Sequence, residues 1–373
     1  MKNAISVFST SGRVSLIGRY ILSSLVFVVF QYGAQTSFAA PVVSGIHGSV
    51  LNGQQVTISG SGFGIKNPAA PVLWASFNNN ITPSSLGQTI TWKANSSGIV
   101  YSSSGGYSGG AAHVYADAHS SEMLVMATVG WYFNDPGQKS YIHRRVKRMY
   151  DSSADYLGGN GGLKSLLLDY NSTYADSVVM NRSTNQWITQ NLGSSYYYFP
   201  ADNNKLDWQV EEAEIQANTV SGQSCIFKTY IDHSLVKSSP TSGSISLWNT
   251  GDQPLNNLSF WRYASSSPRL ASEVDEYWDD LYVDNTWSRV ILGNASTLST
   301  STQREIQVPT NWTDGSVTIS VNAGKFTSGQ SVYLYVIDSS GTVNSFGYLV
   351  TVGTLDSTSE TQPAPVLKVI KSL

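Results

Sequence analysis

Short runs in which apolar and polar residues alternate are the main pattern of this sequence. Residues 277–283 alternate aromatic or aliphatic with acidic side chains, and residues 288–292 form a short β-branched run that ends in a Gly-Asn turn. A period of two predicts strands, and the Asp-Asn pair between the runs predicts a turn. Residues 273–293 are therefore predicted to hold two strands that belong to two different folding units, with almost no linker.

The same pattern recurs on both sides of this stretch. Near the N-terminus, residues 42–46 and 55–59 are predicted strands joined by a turn at Asn52-Gly53. Strands are also predicted at residues 122–133, 140–150, 164–170, 177–180, 187–191, 207–217, 225–231, 244–249 and 258–263, and after the central stretch at residues 304–309, 316–321, 332–337 and 348–352. No stretch has the period of a helix, so the pattern predicts an all-β protein.

The N-terminal strands carry a family signature. Residues 56–64 read Val-Thr-Ile-Ser-Gly-Ser-Gly-Phe-Gly, which resembles the opening of an IPT/TIG immunoglobulin-like domain. The strands that this family has next, one of them ending in Val-Pro, occur only from residue 288 onward. We therefore predict one Ig-like domain split into residues 41–68 and 287–353. Three consecutive small domains are the alternative, but residues 41–64 hold too few strands to bury a core alone.

The inserted segment, residues 72–285, resembles a second family. Trp208–Glu211 reads Trp-Gln-Val-Glu, an Asn-Thr-x-x-Gly motif follows at residues 218–222, and the last strand carries Asp279-Asp280. This order of features is similar to that of concanavalin A-like lectin/glucanase jelly rolls, especially the laminin-G-like members. The resemblance implies a large antiparallel jelly-roll sandwich whose concave face meets polysaccharide, beside a smaller Ig-like β-sandwich.

The ends of the chain bear on its compartment. Residues 1–39 contain three cations and no acid, an apolar run at residues 20–30 and small residues before Pro41, which is the pattern of a secretory signal. The apolar run is shorter than the ~20 residues that span a bilayer. The segment is therefore predicted to be a cleaved signal peptide of a secreted protein, and residues 354–373 are predicted to be a flexible tail.

Charge and cysteine content exclude some classes of function. Without residues 1–39 the chain keeps 19 basic and 25 acidic residues, a net charge of −6. Such a surface has no general attraction for nucleic acid. Cys225 is the only cysteine, so an intrachain disulfide is excluded and stability has to come from the β cores. Gly and Ser/Thr-rich composition with 13% charged residues agrees with many short strands and turns.

One dense basic run is a candidate ligand site in this acidic protein. As a strand, residues 141–150 put His143, Arg145 and Lys147 on one face and Arg144 and Arg148 on the other. On a concave face, the first three could receive an anionic sugar, since a guanidinium forks onto carboxylate or sulfate. The alternative is an edge or solvated strand whose cations pair with the acids of residues 211–214.

Aromatic residues form a second candidate set. Flat rings stack on sugar rings, although any single tryptophan also serves as a core residue. The surplus comprises Trp131, Tyr132, Trp187, Trp208, Trp248, Trp261 and Trp278, with residues 196–198.

Catalytic patterns are incomplete. Residues 273–278 resemble the E-x-D-x-x-E of retaining jelly-roll glycosidases, but Trp278 stands where the second glutamate belongs. A lyase needs a group that neutralises the uronate, a Tyr or His base and an acid; Tyr141, His143 and Arg145, with Lys228, Tyr230 and His233, include these types. The strand motifs of alginate-lyase jelly rolls are absent.

Metal and cofactor signals are weak. Asp279-Asp280 and Asp284-Asn285 offer oxygen donors for a structural Ca²⁺, with Asp280 as the candidate ligand, and strand-end solvation is the alternative. No Cys/His spacing in the sequence predicts a zinc site. We therefore expect no required cofactor, with a structural Ca²⁺ as the possible metal.

These observations favour a secreted, non-catalytic protein that recognises a polysaccharide or surface glycan, possibly acidic. A polysaccharide lyase or glycosidase using the same groove is the first alternative, and a structural surface or matrix spacer is the second. The candidate ligand-binding residues are Tyr141, His143, Arg145, Lys147, Glu212, Glu214, Lys228 and Tyr230.

Overall fold

Strands joined by turns make up nearly all of the regular structure. In the computed structural model, the described residues are 39–78, 91–93, 98–116, 123–130, 139–148, 164–170, 173–181, 186–190, 199–200, 207–216, 226–239, 257–263 and 274–353. The strands are β1 (Val42–His47), β2 (Gln55–Ser61), β3 (Leu73–Ala75), β4 (Thr91–Lys93), β5 (Gly98–Ser102), β6 (Ala111–Ala116), β7 (Met123–Gly130), β8 (Lys139–Arg148), β9 (Lys164–Tyr170), β10 (Thr173–Asn181), β11 (Gln186–Gln190), β12 (Phe199–Pro200), β13 (Trp208–Gln216), β14 (Ile226–Ile231), β15 (Ser234–Ser239), β16 (Asn257–Tyr263), β17 (Val274–Asp284), β18 (Arg289–Gly293), β19 (Arg304–Ile306), β20 (Val308–Trp312), β21 (Ser316–Ser320), β22 (Ser331–Ile337) and β23 (Tyr348–Thr351).

These strands form four antiparallel sheets. The first small sheet has the order β1-β2-β21-β20, and the second small sheet has the order β19-β18-β22-β23. The central sheet runs β15-β14-β13-β8-β17-β6-β5, with β3 also on β17, and the seven-stranded sheet runs β12-β11-β10-β9-β16-β7-β4. Within the described ranges, the only helical element is a 3-10 turn at Leu298–Thr300. The prediction of an all-β, antiparallel fold is confirmed.

No helix of the described part is long and apolar enough to cross a membrane. The predicted signal peptide (residues 1–38 of it), the tail and the predicted strand at residues 244–249 lie outside the described residues.

The two small sheets pack face to face into a small sandwich. In β2 the burial alternates, so that Val56 and Ile58 point inward, as a strand with one buried face requires. These side chains share a core with Val317 and Ile319 of the first small sheet and with Leu334 of the second. Because β2 pairs along its length with β21, strands from both ends of the described chain build this sandwich. Its assignment to the IPT/TIG family stays a prediction.

The connection between β19 and β20 corrects one predicted strand. Residues 304–309 were expected to form a single strand, but the chain changes sheet at Gln307, with β19 in the second small sheet and β20 in the first. Gln307 is fully buried and its side-chain amide donates to the carbonyls of Glu305 and Asn322. The Gln307 main-chain N–H still donates to the Val290 carbonyl of β18 at 2.9 Å, and the side-chain bonds give the buried amide the partners that it needs.

The second small sheet is covered on both faces. All five residues of β18 are buried, which explains why its sequence is a continuous apolar run after Arg289 instead of an alternation. On the side away from the small sandwich core, Trp287, Ile291 and Tyr335 form a cluster with Tyr141 and Tyr282 of the central sheet. The central sheet therefore packs on the small sandwich, and we call this contact the joint.

Polar bonds also cross the joint. Trp287 Nε1 donates to the carbonyls of Ser140 and Ile215, each at 3.0 Å. Arg289 lies with its guanidinium 4.1 Å from the ring centre of Tyr141 and donates to Glu214 at 2.9 Å. A tryptophan N–H and an arginine buried without such acceptors would destabilise the fold, so these bonds fix the position of the two sandwiches.

The joint generates a prediction about stability. Trp287→Phe keeps a ring in the joint but removes the donor shared by two carbonyls, and we expect a loss of about 1–3 kcal/mol in the free energy of unfolding. Trp312→Phe is the matched control, because Trp312 is equally buried and its Nε1 donates to the Phe63 carbonyl inside the small sandwich. Calorimetry should show separate transitions for the two sandwiches in Trp287→Phe only. A single transition in both variants would mean that this donor does not couple the sandwiches.

Candidate functional site

A cleft of about 520 Å³ opens at one edge of the joint. The β5–β6 turn, β8, β13, the β14–β15 turn and the segment leading into β19 all contribute to it. Its lining residues are Tyr107, Arg145, Asp207, Trp208, Val210, Asp232, His233, Thr302, Gln303 and Arg304.

Aromatic rings and cations meet in this cleft. Tyr107 and Trp208 pack edge to face, with ring centres 6.2 Å apart and an interplanar angle of 78°. The guanidinium of Arg145 lies 3.7 Å from the ring centre of Tyr107, and Lys325 Nζ lies 4.1 Å from it. Burial, against the opposing charge of Arg145, raises the pKa of Tyr107 to about 12. The phenol is therefore neutral at physiological pH, and Trp208 is only half-buried.

Arg145, which we predicted to hold an anionic ligand, is already bound to acids of the protein. It is 3% exposed; its Nε donates to Asp280 at 2.9 Å and its Nη2 donates to Glu305 at 2.6 Å. Burial alone would lower the Arg145 pKa, but the carboxylates of Glu305 and Asp280 raise it. The guanidinium is thus a fixed, neutralised part of the cleft floor.

The same contacts bear on Asp280 as a metal ligand. Its Oδ2 accepts from Arg145, and Asn322 Nδ2 lies 3.5 Å from its Oδ1. The arginine takes the position in which a cation would neutralise this carboxylate. Among the described residues, no group of three His, Cys, Asp or Glu side chains could hold a metal ion. A Ca²⁺ ion at Asp280 would have to share this carboxylate with Arg145, and the structural Ca²⁺ stays a prediction.

Behind the cleft, three ring side chains surround the carboxylate of Glu212, and two of them hydrogen-bond to it. Tyr141 donates its hydroxyl to Glu212 Oε1, His233 Nδ1 lies 2.9 Å from Oε2, and His143 Nδ1 lies 3.6 Å from Oε1. Burial alone would raise the Glu212 pKa, but His233 and His143 hold it well below its usual range. Tyr141 and His143 are at most 2% exposed, so a ligand reaches this group only through His233.

A strained turn holds His233 in place. Asp232 and His233 are the only residues between β14 and β15, and their φ angles are 46° and 66°. Two left-handed residues are typical of a type I′ turn, which favours Asn-Gly because other side chains cost energy there. Asp232 Oδ1 accepts from the N–H of Val210, and the Asp232 N–H donates to the Val210 carbonyl, both at 2.9 Å. These bonds fix the turn to β13 with the imidazole at the cleft.

Three other predicted site residues lie together at the joint and not in the cleft. Glu214 accepts from Tyr230 at 3.1 Å, from Lys228 at 3.3 Å and from Arg289 at 2.9 Å. Burial would raise the Glu214 pKa, but Arg289 and Lys228 lower it. This cluster has the character of a structural ion-pair group.

Lys147 is the predicted residue that borders the open part of the sheet. It is half-buried and lies directly opposite Trp208 in β13 and Tyr277 in β17. Tyr277 in turn stacks on His113, with ring centres 4.5 Å apart. A row of rings with one cation therefore continues from the cleft across the central sheet.

The other face of β8 agrees with the alternative interpretation of the basic run. Arg144 Nε donates to Glu211 at 2.6 Å, and Arg148 Nη1 donates to Gln209 at 3.0 Å. Both arginines pair with Glu211, as that interpretation expects, but they are 1% exposed and β8 lies inside the central sheet, so the expected edge or solvated position is wrong.

Sequence reasoning missed part of the cleft. Tyr107, Asp207, Thr302, Gln303 and Arg304 carried no recognised motif. A two-residue turn between two strand-like runs was a readable sign of the Asp232-His233 geometry. Of the aromatic surplus, Trp208 lines the cleft and Trp278 is fully buried. The side chains of Trp131, Tyr132, Trp187, Trp248, Trp261 and residues 196–198 lie outside the described part.

Comparisons with known proteins find similarity in structure only. No family model matches the sequence, and no curated protein matches it. The PL-14 alginate lyase of Aplysia kurodai has a TM-score of 0.40 and 13% identity, over 58% of this chain and all of that one, 100%. The endo-β-1,4-glucuronan lyase of Trichoderma reesei has a TM-score of 0.39 and 11% identity, over 58% and 96% of the two chains.

A third solved structure, the alginate lyase vAL-1 of a Chlorella virus, has a TM-score of 0.39 and 9% identity, over 58% of this chain and 99% of that one. Similarity this weak does not establish the activity of this chain.

Asp279 holds the loop that carries Tyr107. Its carboxylate accepts from the N–H groups of Tyr107 at 2.8 Å, Ser108 at 3.3 Å and Asp280 at 2.8 Å. The side chain is completely buried. Burial and the neighbouring Asp280 raise the Asp279 pKa to about 8, although its hydrogen bonds and Arg145 oppose the shift.

This pKa predicts how stability depends on pH. The folded state keeps a proton on Asp279 at pH values where the unfolded chain has already lost it. The contribution of Asp279 to the free energy of unfolding is therefore fully present at low pH and is lost as the pH rises toward 8. Between pH 6 and 8, the wild type should lose about 2 kcal/mol more unfolding free energy than Asp279→Asn in urea titrations. Asp314→Asn, at an exposed aspartate, is the control. Equal losses in wild type and Asp279→Asn would contradict the raised pKa.

Proposed function

We propose that this protein binds an acidic polysaccharide in the cleft at the edge of the joint. The observation that carries the proposal is the Tyr107–Trp208 ring pair beside arginine side chains. A ring offers its flat face to the apolar side of a sugar, and a guanidinium recognises a carboxylate or sulfate. The ring pair and Arg304 together thus fit an acidic sugar, while Asp207 and Asp232, which also line the cleft, suit its hydroxyl groups.

The size and surroundings of the cleft support this proposal. Its volume of about 520 Å³ falls in the range of small-ligand sites, about 300–1,000 Å³. The row of Lys147, Tyr277 and His113 beyond Trp208 offers more surface of the same character to a longer chain. A spacer protein has no need for half-buried rings and cations converging on one cleft.

Other parts of the proposal rest on the sequence alone. Export of the protein rests on the signal-like residues 1–39. The concanavalin A-like and IPT/TIG families rest on the motifs quoted above, and binding of a glycan and not nucleic acid rests on the acidic net charge.

Trp208 provides the direct test. Trp208→Ala should weaken binding of a polyuronate at least tenfold in isothermal titration calorimetry, because a stacking surface is lost. The control is Phe346→Ala, which removes a ring that is 71% exposed and does not line the cleft. If both variants bind like the wild type, the ring pair does not carry recognition and the proposed site is wrong.

A lyase is the second candidate, and the His233–Glu212 pair favours it. The carboxylate of Glu212 orients Nδ1 of His233, which leaves Nε2 as a base toward the cleft. In β-elimination, Nε2 would take the C5 proton of a uronate. The electrons of the former C5–H bond would form the C4–C5 double bond as the C4–O bond breaks. The leaving oxygen would take a proton from the neutral phenol of Tyr107. Gln303 and Arg304 line the same cleft and would neutralise the uronate carboxyl group.

The lyase candidate predicts a product that absorbs in the ultraviolet. The wild type should release unsaturated uronate, and His233→Gln should slow this release by about 10²–10⁴-fold, the usual contribution of a general base, while polymer binding persists. His47→Gln, at an exposed histidine of β1, is the control. No unsaturated product from any polyuronate would eliminate the lyase and leave binding alone.

A further inference from the structure

We infer that the small sandwich is part of the binding site and that Arg304, rather than Arg145, holds the anionic group of the sugar. This inference rests on the proposed function and specifies which residue and which sandwich recognise the charge. Thr302, Gln303 and Arg304 form the wall of the cleft that faces Trp208, Val210 and His233 of the central sheet. The site is therefore assembled from both sandwiches.

The two arginines of the cleft differ in how their charge is compensated. Arg145 is bonded to two carboxylates, Asp280 and Glu305, so this group as a whole has no positive charge left for a ligand. Arg304 instead donates from Nε to the Ser301 carbonyl at 3.0 Å and from Nη2 to the Leu298 carbonyl at 2.5 Å. Carbonyls orient a guanidinium without neutralising it.

Arg304 therefore keeps its charge for a ligand. No carboxylate in the described part of the chain forms an ion pair with Arg304, and its two bonds use only Nε and Nη2. An arginine remains protonated in proteins even when burial lowers its pKa, as burial does here against the attraction of Glu212, which acts on Arg304 without forming an ion pair with it. A carboxylate or sulfate entering the cleft would supply the missing negative charge.

The loop before Arg304 is built to keep its position. Asn294 Oδ1 accepts from the N–H groups of Thr302 at 3.0 Å and Gln303 at 3.2 Å, and Asn294 Nδ2 donates to Thr302 Oγ1 at 3.0 Å. The chain itself supplies these bonds, and a loop held in one conformation by its own hydrogen bonds favours affinity.

Arg145 acts on the site through this wall. Its Nη2 donates to the Arg304 carbonyl at 2.7 Å. This hydrogen bond holds the main chain of Arg304 against the central sheet across the joint. Arg145 is thus a positioning residue. Replacing it would leave Asp280 and Glu305 buried without their partner and destabilise the fold, which makes Arg304 the cleaner position to test.

The experiment compares matched ligands on the full chain. The ligands are a polyuronate, the same polymer with its carboxyl groups reduced to alcohols, and a sulfated galactan. Arg304→Gln should weaken polyuronate binding at least tenfold and flatten its dependence on salt, while binding of the reduced polymer, already weak, stays unchanged and shows that the cleft is intact. Arg304→Lys should be intermediate, because it keeps the charge but loses the fork.

Lys139→Gln is the matched control variant. It also removes one positive charge from the joint, but Lys139 donates to the Ser339 carbonyl and does not line the cleft, so polyuronate affinity should not change. Loss of galactan binding in Arg304→Gln would extend the inference to sulfate esters, and unchanged galactan binding would restrict it to carboxylates.

Two outcomes would overturn the inference, and they differ. If Arg304→Gln binds polyuronate as tightly as the wild type does, Arg304 is not the anion-holding residue, while the proposed function stands. If the wild type binds none of the three polymers, the proposed function fails and the inference fails with it.

Discussion

The packing of the central sheet on the second small sheet is the constraint on which the rest of this structure depends. It buries Tyr141 and Tyr282 against Trp287, Ile291 and Tyr335 and so covers a sheet face that would otherwise be open to solvent. Side chains of the central sheet near the middle of this contact become structural. Those at its edge, such as Trp208, remain half-buried and free to meet a ligand. The cleft exists because the contact ends there.

Burial at the joint also governs the electrostatics. Removing a charged group from water is costly unless a partner and hydrogen bonds replace the solvent. Arg145 and Arg289 both have carboxylate partners, at 2.6 to 2.9 Å. Arg304 departs from this rule, since it sits at the edge and is held by carbonyls. The difference separates charges that hold the fold together from one that is available for recognition.

The sequence predicted local structure well because its signals are local. Alternation places His143 and Arg145 on one face of β8 and Arg144 on the other, and their nearest carboxylates, Glu212, Asp280 and Glu211, agree with this. A period of two says which residues share a face but not what covers that face. The cover of Arg145 comes from Glu305, 160 positions away, and no local pattern encodes such a contact.

Other parts of the site left only faint traces in the sequence. The continuous apolar run of β18 is a sign of a strand buried on both faces. It indicates that another part of the chain packs on the outer face of the second small sheet. The change of sheet at Gln307 was hidden, because residues on both sides of it look like one strand. Arg304 lies shortly before this crossing, and its carbonyl partners, Ser301 and Leu298, belong to the same loop, but no sequence motif marks these contacts.

The turn at Asp232-His233 has a consequence for how this chain can change over evolutionary time. Both residues adopt a backbone conformation that Asn-Gly would occupy with less strain. A change to Asn-Gly would relax the backbone of the turn, yet it would remove the imidazole from the cleft and leave the buried carboxylate of Glu212 without one of its partners. A lineage that lost the need for this side chain would drift toward the relaxed turn. The turn is thus a place where the sequences of relatives would record whether His233 is under selection for function.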